Sequence, residues 1–239
     1  MAQPTIIATE SVVYAPTADS GATRAFTEVD IPAAANTIFV MFVNDNPENA
    51  KTIDSLVFDN STIQNTLLHT IDVSSSTLSK VTQVNIYDTR DLGAFSNEDV
   101  TGTLSSATSG KSLLGVVCTD GFLESFSASD NLFSAKFQLS VFSANFANNT
   151  LLQMGSLDGG VGSFSYTTGT EVYKTASASD AISLVSAKQT TNSSGIKTIA
   201  GTKLSDDLSS VSFLISSQPN PLADISPTGD IISHDIITN

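Results

Sequence analysis

Apolar and polar residues alternate along most of the 239-residue chain, in short runs that are separated by turn residues. The clearest run covers residues 37–43 and is apolar at nearly every position. It therefore predicts a central strand that is covered on both faces. The same reasoning predicts further strands at residues 25–31, 55–58, 67–73, 80–87, 99–104, 112–118, 150–154, 162–166, 181–187, 196–200 and 211–215.

Helices are difficult to place, because β-branched residues, Ser and Thr interrupt almost every window. Residues 92–98 and 206–209 allow about one helical turn each. Residues 124–146 contain five Phe and fit either two strands or a loop that is packed by its aromatic side chains. Many short strands with turn signals between them favour an all-β protein, a single antiparallel β-sandwich of jelly-roll type.

The two ends of the chain differ from its middle. Residues 1–22 contain one short apolar stretch, and residues 218–239 carry three prolines before a last apolar patch. We therefore predict a sandwich domain at residues 23–217 with an extended arm on each side. Either the arms fold back on their own sheet, or they add a strand to an open sheet edge of a neighbour. The candidate contact residues are Ile6, Ile7, Val12, Val13, Tyr14, Ile231, Ile232, Ile236 and Ile237.

The chain is acidic, with 24 Asp and Glu against 10 Lys and Arg and a formal net charge of -14. Such a surface repels phosphate groups, so neither a nucleic acid nor an anionic membrane is expected as a partner. The first residues lack a basic segment followed by an apolar one, and no apolar run approaches the roughly 18 residues that span a bilayer. We expect synthesis in the cytoplasm without a leader.

Side chains for catalysis are scarce. The only histidines are His69, on a predicted strand, and His234, in the second arm. A Ser or Cys nucleophile needs a neighbouring base, and no Gly-x-Ser-x-Gly motif accompanies either histidine. Cys118 stands in an apolar run and is interpreted as a small buried residue. The sequence therefore predicts a protein that is not an enzyme.

Two motifs invite a ligand-binding interpretation. Residues 109–112 imitate the end of a phosphate-binding loop, but a predicted strand follows them where a helix is needed, so a turn is expected. The carboxylates of Asp88, Asp91 and Asp158 lie in turn segments and are candidate ligands for a loop calcium site. No cofactor is predicted otherwise, and bound calcium stays an alternative.

The order of the strand blocks carries a resemblance. The blocks at residues 32–40, 56–60, 84–87, 100–104 and 113–117, followed by 149–154 and 211–215, are similar to β-sandwich modules of tailed-phage virion accessory proteins and of bacterial surface proteins. This resemblance spans roughly residues 24–217 and implies no catalytic residues. It implies a structural virion protein, such as a capsid decoration, cement or tail-associated protein.

The implied partners are other copies of the chain and other virion proteins, such as the major capsid protein. Assembly inside the host cell fits the single cysteine, since that compartment is reducing. The alternative is a surface adhesin or glycan-binding module that is exported without an N-terminal signal and acts outside the cell, with or without calcium. Calcium-dependent melting would favour this alternative.

Overall fold

The computed structural model describes residues 2–45, 51–73, 80–132, 136–143, 149–179, 181–191, 195–202 and 208–218. These residues form an all-β structure with one helical turn, α1 at Ser61–Gln64, and one 3₁₀ turn at Val161–Ser163. The strands are β1 Val13–Tyr14, β2 Thr23–Ile31, β3 Thr37–Asp45, β4 Ile53–Phe58, β5 Leu67–Asp72, β6 Lys80–Asp88, β7 Phe95–Leu104, β8 Ser112–Thr119, β9 Phe122–Leu132, β10 Lys136–Ser143, β11 Asn149–Asp158, β12 Ser165–Tyr166, β13 Thr170–Ala176, β14 Ile182–Thr191, β15 Gly195–Thr202 and β16 Leu208–Ser216.

The strands form four antiparallel sheets. Sheet I has the order β1-β8-β3-β6-β5, and sheet II has the order β2-β7-β4. Sheet III has the order β13-β14-β11-β16-β9, and sheet IV has the order β10-β15-β12. The predicted antiparallel β-sandwich is confirmed, and it is built from four layers. The jelly-roll topology stays a prediction.

Apolar side chains set the order of the layers. Phe42 of β3 contacts Phe26 of β2, which joins sheet I to sheet II. On the other face of β3, Phe39 packs on Phe213 of β16 with ring centroids 4.4 Å apart, which joins sheet I to sheet III. Ile199 of β15 joins sheet IV to the far side of sheet III. Because β3 is covered on both faces, the central strand predicted at residues 37–43 is confirmed.

The two halves of the chain repeat one topology. Strands β1 to β8 build sheets I and II, and strands β9 to β16 build sheets III and IV in the same chain order. Advancing each strand number of sheet I by eight gives β9-β16-β11-β14-β13, which is the order of sheet III read backwards. The same step converts β2-β7-β4 into β10-β15-β12. The molecule is therefore a tandem pair of eight-stranded units.

Contacts between the units are reciprocal, as in a two-fold dimer. In the first unit, the Thr37 hydroxyl donates to the carbonyl of Gly121, which precedes β9 of the second unit. In the second unit, the Thr150 hydroxyl donates to the carbonyl of Pro4, which precedes β1 of the first. The two bonds measure 2.9 Å and 2.7 Å. Each unit thus forms a hydrogen bond with the segment that precedes the first strand of the other unit, at the interface between sheets I and III.

The structure tests several local predictions of strands and helical turns. The aromatic-rich segment at 124–146 contributes two strands, β9 and β10, and not a loop. The helical turn expected at 92–98 is wrong, because β7 begins at Phe95 and pairs with Ile31 of β2. The helical turn at α1 was not expected, and Asn60 caps it by accepting a hydrogen bond from the Thr62 amide. The second expected turn, at 206–209, begins in residues outside the described ranges.

The motif at residues 109–112 leads directly into β8, so no helix follows it. The loop is held by Arg24, whose side chain is fully buried. Arg24 donates to the carbonyls of Thr108 and Gly110 and to the hydroxyl of Ser112. Carbonyl groups therefore point inward here, which is the opposite polarity to the inward amides of a phosphate-binding loop. The strand predicted after this motif is confirmed, and residues 105–111 form an irregular connection between β7 and β8.

Cys118 is buried in β8, and burial raises the pKa of its thiol to about 12. Its sulfur lies 3.9 Å from the Glu10 carbonyl on the segment that covers this face of the sheet. A thiol with so high a pKa is a poor nucleophile at neutral pH. The prediction of a small buried residue is confirmed, and the cysteine offers a chemical probe that reacts when the chain unfolds.

Gly115 leaves the space that the Tyr173 hydroxyl occupies at the interface between the units. A methyl group added at Gly115 would overlap the Tyr173 hydroxyl and lie 3.2 Å from a Leu184 methyl. Among the residues that the structure describes, the Tyr173 hydroxyl has no hydrogen-bond partner. We expect Gly115→Ala to lower the free energy of unfolding by about 1–3 kcal/mol, and Tyr173→Phe to be neutral or stabilising by about 1 kcal/mol.

The double variant Gly115→Ala with Tyr173→Phe separates the steric effect from a backbone effect. Removing the hydroxyl makes room for the methyl group, so the double variant is expected to be more stable than the Gly115→Ala protein. Urea titrations followed by circular dichroism measure all four proteins. Additive effects of the two changes would show that the hydroxyl does not occupy the space beside Gly115.

Candidate interaction edge

The candidate functional site is the outer edge of β5. In the described part of the chain, β5 pairs with β6 on one side only. Sheet II has three strands against five in sheet I, and its edge strand β4 lies over β6. Leu67 packs against the core between sheets I and II, while Leu68, Thr70 and Asp72 of β5 are exposed. An edge strand of this kind presents backbone donors and acceptors to an incoming strand.

Exposure alternates along β5. His69 and Ile71 are half-buried and face sheet III, where the His69 ring lies 5.4 Å from the Phe126 ring of β9. Leu68, Thr70 and Asp72 are exposed. Leu68 is the exposed large apolar residue among the described residues, with 48% of its surface accessible. The inner face of β5 thus packs against sheet III, and its outer face carries exposed apolar and polar side chains.

A groove begins at Leu68 and runs to the turn after β6. It is lined by Leu68, Thr66, Asp88 and Arg90 among others. The Arg90 guanidinium donates to both carboxylate oxygens of Asp88, and it stacks over the Phe122 ring with 5.1 Å to the ring centre. The hydrogen bond from Arg90 to Asp88 raises the pKa of the guanidinium, so Arg90 keeps its positive charge.

His69 lies on the inner face of this edge. Partial burial lowers the pKa of its imidazole below the usual value, so the ring is neutral at pH 7 and its nearest described aromatic neighbour is Phe126. No hydrogen bond from His69 to a Ser or Cys is present among the described residues. The interpretation of His69 as a structural histidine stays a prediction. His234 lies outside the described residues.

The equivalent strand of the second unit is β13, the outer strand of sheet III. It carries a bulge between Glu171 and Tyr173, and its described charged residues are Glu171 and Lys174. The Lys174 ammonium donates to the Phe164 carbonyl. Bulges and charged residues are the usual means of protecting a sheet edge from pairing. Strand β5 also has a register shift, between Leu67 and His69, and a charged residue, Asp72, so the two edges differ mainly in the exposed Leu68 of β5.

The candidate residues of the first arm lie on the chain's own sheet. The Ile6 side chain is buried in the interface between sheets I and III, and its backbone forms a bridge with Thr119. The Ile7 amide donates to the Cys118 carbonyl, and Val13 and Tyr14 form β1 beside β8. The Val12 carbonyl accepts from Val116. Of the two alternatives for the first arm, the observed one is that residues 6–14 fold back on the chain's own sheet.

The candidate residues of the second arm, Ile231, Ile232, Ile236 and Ile237, lie outside the described residues. The described chain ends at Gln218, directly after β16. Ser216 at the end of β16 pairs with Phe122 of β9, and the Phe122 ring contacts Arg90. Ser217 and Gln218, which follow, lie against Ala2, Gln3, Pro4 and Asp120.

The three candidate calcium ligands do not form one group. Asp88 is engaged by Arg90, and Asp91 adopts a left-handed backbone with φ 67° in the turn that follows. Asp158 ends β11 in the second unit. Within the described ranges, no three His, Cys, Asp or Glu side chains lie close enough together to hold a metal ion. Calcium binding was predicted only as an alternative, and the separate positions of Asp88, Asp91 and Asp158 do not form a shared coordination site.

Comparisons of this chain with protein-family models, with curated proteins and with solved structures give no match. No helix in the described ranges has the length and apolar character that crossing a membrane requires.

Sequence reasoning found β5 as a strand but not as an interaction site. Leu67 and Leu68 are adjacent apolar residues, and a strand with apolar residues on both faces is usually a central one. The exposure of Leu68 follows from the order of strands in the sheets, which the sequence pattern does not encode. A weak signal exists in Thr70 and Asp72, which are polar on one face and alternate with His69 and Ile71.

Proposed function

We propose that this protein is a structural component of a virion, such as a capsid decoration, cement or tail-associated protein, and that it acts through protein contacts. The observation that carries the proposal is the open edge of β5 with exposed Leu68. Such an edge is suited to bind an extended segment, because main-chain hydrogen bonds supply affinity and alternate side chains supply specificity. Other virion proteins and further copies of this chain are the proposed partners.

The layered architecture supports a structural role. Sheets I and III bury side chains from both units in one continuous cluster, and the reciprocal bonds of Thr37 and Thr150 close its ends. The contact edge therefore belongs to a strand of a rigid five-stranded sheet and not to a loop. The chain's net charge of -14 limits non-specific association with other acidic surfaces and with nucleic acid.

Two measurements test the proposal. Mass spectrometry of particles purified from the source is expected to detect the chain as a multi-copy component. Particles produced without the chain are then mixed with purified protein and sedimented, and the wild-type protein is expected to sediment with them. Absence of the chain from purified particles would remove the virion assignment, and glycan-dependent binding to cells would then favour the adhesin alternative.

Matched threonine variants test the edge itself. Thr70 on β5 and Thr175 on β13 are both exposed residues of edge strands. Thr70→Lys and Leu68→Lys place a charge where an incoming strand would pack, and they are expected to reduce co-sedimentation about tenfold or more, since about 1.4 kcal/mol is enough for that factor. Thr175→Lys is expected to bind like wild type. Equal binding of Thr70→Lys and Thr175→Lys would exclude β5 as the contact edge.

A further inference from the structure

We infer that the β5 edge binds an extended basic segment of a partner protein, which pairs with β5 as an added strand and places a Lys or Arg side chain opposite Asp72. This inference rests on the proposed role of β5 as the contact edge, and it names the chemistry of the partner. The partner is chosen from three features: the charge of the first unit, the order of the exposed side chains along β5, and the poor fit of a second copy.

The first unit has a large excess of acidic side chains. Residues 1–120, which contain this unit, include 14 Asp and Glu but only five Lys and Arg. Each of the five basic side chains is either buried or forms an ion pair with an Asp, and they are Arg24, Lys51, Lys80, Arg90 and Lys111. The field around this unit therefore attracts a basic segment and repels an acidic one.

The exposed side chains of β5 differ in character along the strand. They are apolar, uncharged polar and acidic in turn, at Leu68, Thr70 and Asp72. Thr70 and Asp72 lie opposite Asn85 and Gln83 of β6 in regular register, so the same regular pairing is available on the open side. Side chains that lie opposite each other on paired strands interact. An added strand therefore gains most from an apolar residue beside Leu68 and a basic residue beside Asp72, four positions apart.

The Asp72 carboxylate can accept a further donor. Its Oδ1 atom accepts a hydrogen bond of 2.8 Å from the Gln83 amide, and the residue is exposed. Among the described residues, no Lys or Arg forms an ion pair with Asp72. A carboxylate has about four acceptor positions on its two oxygens, so Oδ2 has room for an ammonium or a guanidinium group.

A second copy of the chain fits this edge poorly. If two β5 strands paired antiparallel about Thr70, each Leu68 would lie opposite the Asp72 of the other copy. An apolar side chain would then face a charged one at both ends of the pair. Two chains that each carry a net charge of -14 also repel each other. A basic segment of another protein meets neither obstacle.

Peptide binding to the full chain tests the inference. The Lys peptide is a fluorescent peptide with blocked ends and the sequence Thr-Lys-Val-Thr-Val-Ile-Thr, and the Glu peptide has Glu in place of Lys. In an antiparallel register, the Lys or Glu side chain lies opposite Asp72 and the Ile side chain lies opposite Leu68. Fluorescence anisotropy measures both affinities at about 0.15 M salt, where charges more than about 8 Å apart are largely screened. We expect the wild-type protein to bind the Lys peptide about fivefold more tightly than the Glu peptide.

Charge reversal on β5 separates a local pair from the field of the whole molecule. Asp72→Lys is expected to reverse the preference, so that the Glu peptide binds more tightly than the Lys peptide. The matched control is Glu171→Lys, which makes the same change of net charge at an exposed residue of the equivalent edge strand β13. This control is expected to keep the wild-type preference. An equal change of preference in both variants would show a response to net charge alone and would overturn the inference.

Asp72→Asn tests the charge without adding a longer side chain. The amide oxygen of Asn keeps an acceptor for Gln83, so the variant is expected to fold like wild type and to bind the two peptides about equally. Circular dichroism checks the fold of each variant. A wild-type preference for the Lys peptide in Asp72→Asn, or failure of the wild-type protein to bind either peptide, would refute the basic partner.

The outcome is separable from that of the proposed function. If Thr70→Lys abolishes co-sedimentation with particles while Asp72→Lys keeps the wild-type peptide preference, β5 is a contact edge for a partner of different chemistry, and the inference fails alone. If Asp72→Lys reverses the peptide preference but purified particles lack the chain, β5 binds basic segments and the virion assignment is refuted.

Discussion

Between pH 10 and pH 12 the protein is expected to lose a large part of its folding free energy, because its tyrosines are buried as neutral groups. Burial raises the pKa of Tyr87 to about 12, and it raises the pKa values of Tyr14, Tyr166 and Tyr173 in the same direction. Tyrosine in an unfolded chain titrates near pH 10. Above that pH the unfolded chain releases protons that the folded chain retains.

The sign follows from proton linkage. When the unfolded state binds fewer protons than the folded state, stability falls as the pH rises. The contribution of Tyr87 is complete below pH 10 and is lost as the pH approaches 12. A shift of about two pKa units corresponds to roughly 3 kcal/mol for this residue. Cys118 acts in the same direction from a lower pH, since burial raises the pKa of its thiol to about 12.

Urea titrations at pH 8, 9, 10, 11 and 12 measure this loss, with circular dichroism as the signal. Tyr87→Phe is the control that isolates one group, because it removes a titrating hydroxyl and keeps the ring packed against Phe58. The variant is expected to lose roughly 3 kcal/mol less than wild type over the same range. A urea midpoint that does not change between pH 9 and pH 12 would contradict neutral burial of the tyrosines.

The strands could be predicted from the sequence because the alternation of apolar and polar residues, with its period of two, is a local feature of the chain. The predicted strand at 80–87 is observed as Lys80–Asp88, and that at 196–200 as Gly195–Thr202. Strand β13 was missed for a physical reason. A bulge at Glu171 and Tyr173 shifts its register, so Val172 and Tyr173 both contact the core and the alternation is broken.

The division of the strands into two equivalent units was not predicted. Topology depends on which strands pair, and strands of similar composition can pair in many orders. The equivalent central strands β3 and β11 share burial but only part of their side chains, since β3 contributes Phe39, Met41 and Val43 to the same cluster and β11 contributes Leu152 and Met154. The open edge of β5 is likewise a consequence of pairing, so the candidate site could not be read from the sequence.

Replacing Arg24 is expected to destabilise the protein more than replacing any exposed charged residue. The Arg24 side chain is fully buried and donates to the carbonyls of Gly21, Thr108 and Gly110 and to the Ser112 hydroxyl. Arg24→Met keeps most of the volume but removes the guanidinium donors of the Thr108 and Gly110 carbonyls, while the Gly21 carbonyl still accepts from the Thr108 amide. Buried acceptors that lose a charged donor cost about 3–5 kcal/mol in the free energy of unfolding.

Arg90→Met is the matched control, because Arg90 pairs with Asp88 on the surface and 45% of its side chain is accessible. An exposed ion pair contributes about 0–1 kcal/mol, so this variant is expected to unfold close to wild type. Urea titration and the rate at which Cys118 reacts with a thiol reagent provide two independent readouts of unfolding. Similar unfolding free energies for the two variants would mean that the carbonyls of the 105–111 loop do not depend on Arg24.

Arg24→Lys distinguishes the charge from the shape of the donor group. Lysine keeps the positive charge near Asp19, whose charge favours the protonated form of Arg24. However, an ammonium carries three donors at one point, whereas the guanidinium spreads five donors over a planar fork. Arg24 uses three nitrogens, Nε, Nη1 and Nη2, to reach the carbonyls of Gly21, Thr108 and Gly110 and the Ser112 hydroxyl, and a single ammonium nitrogen cannot replace all three. Arg24→Lys is therefore expected to lose most of the stability that Arg24→Met loses, and full retention would show that charge alone holds the loop.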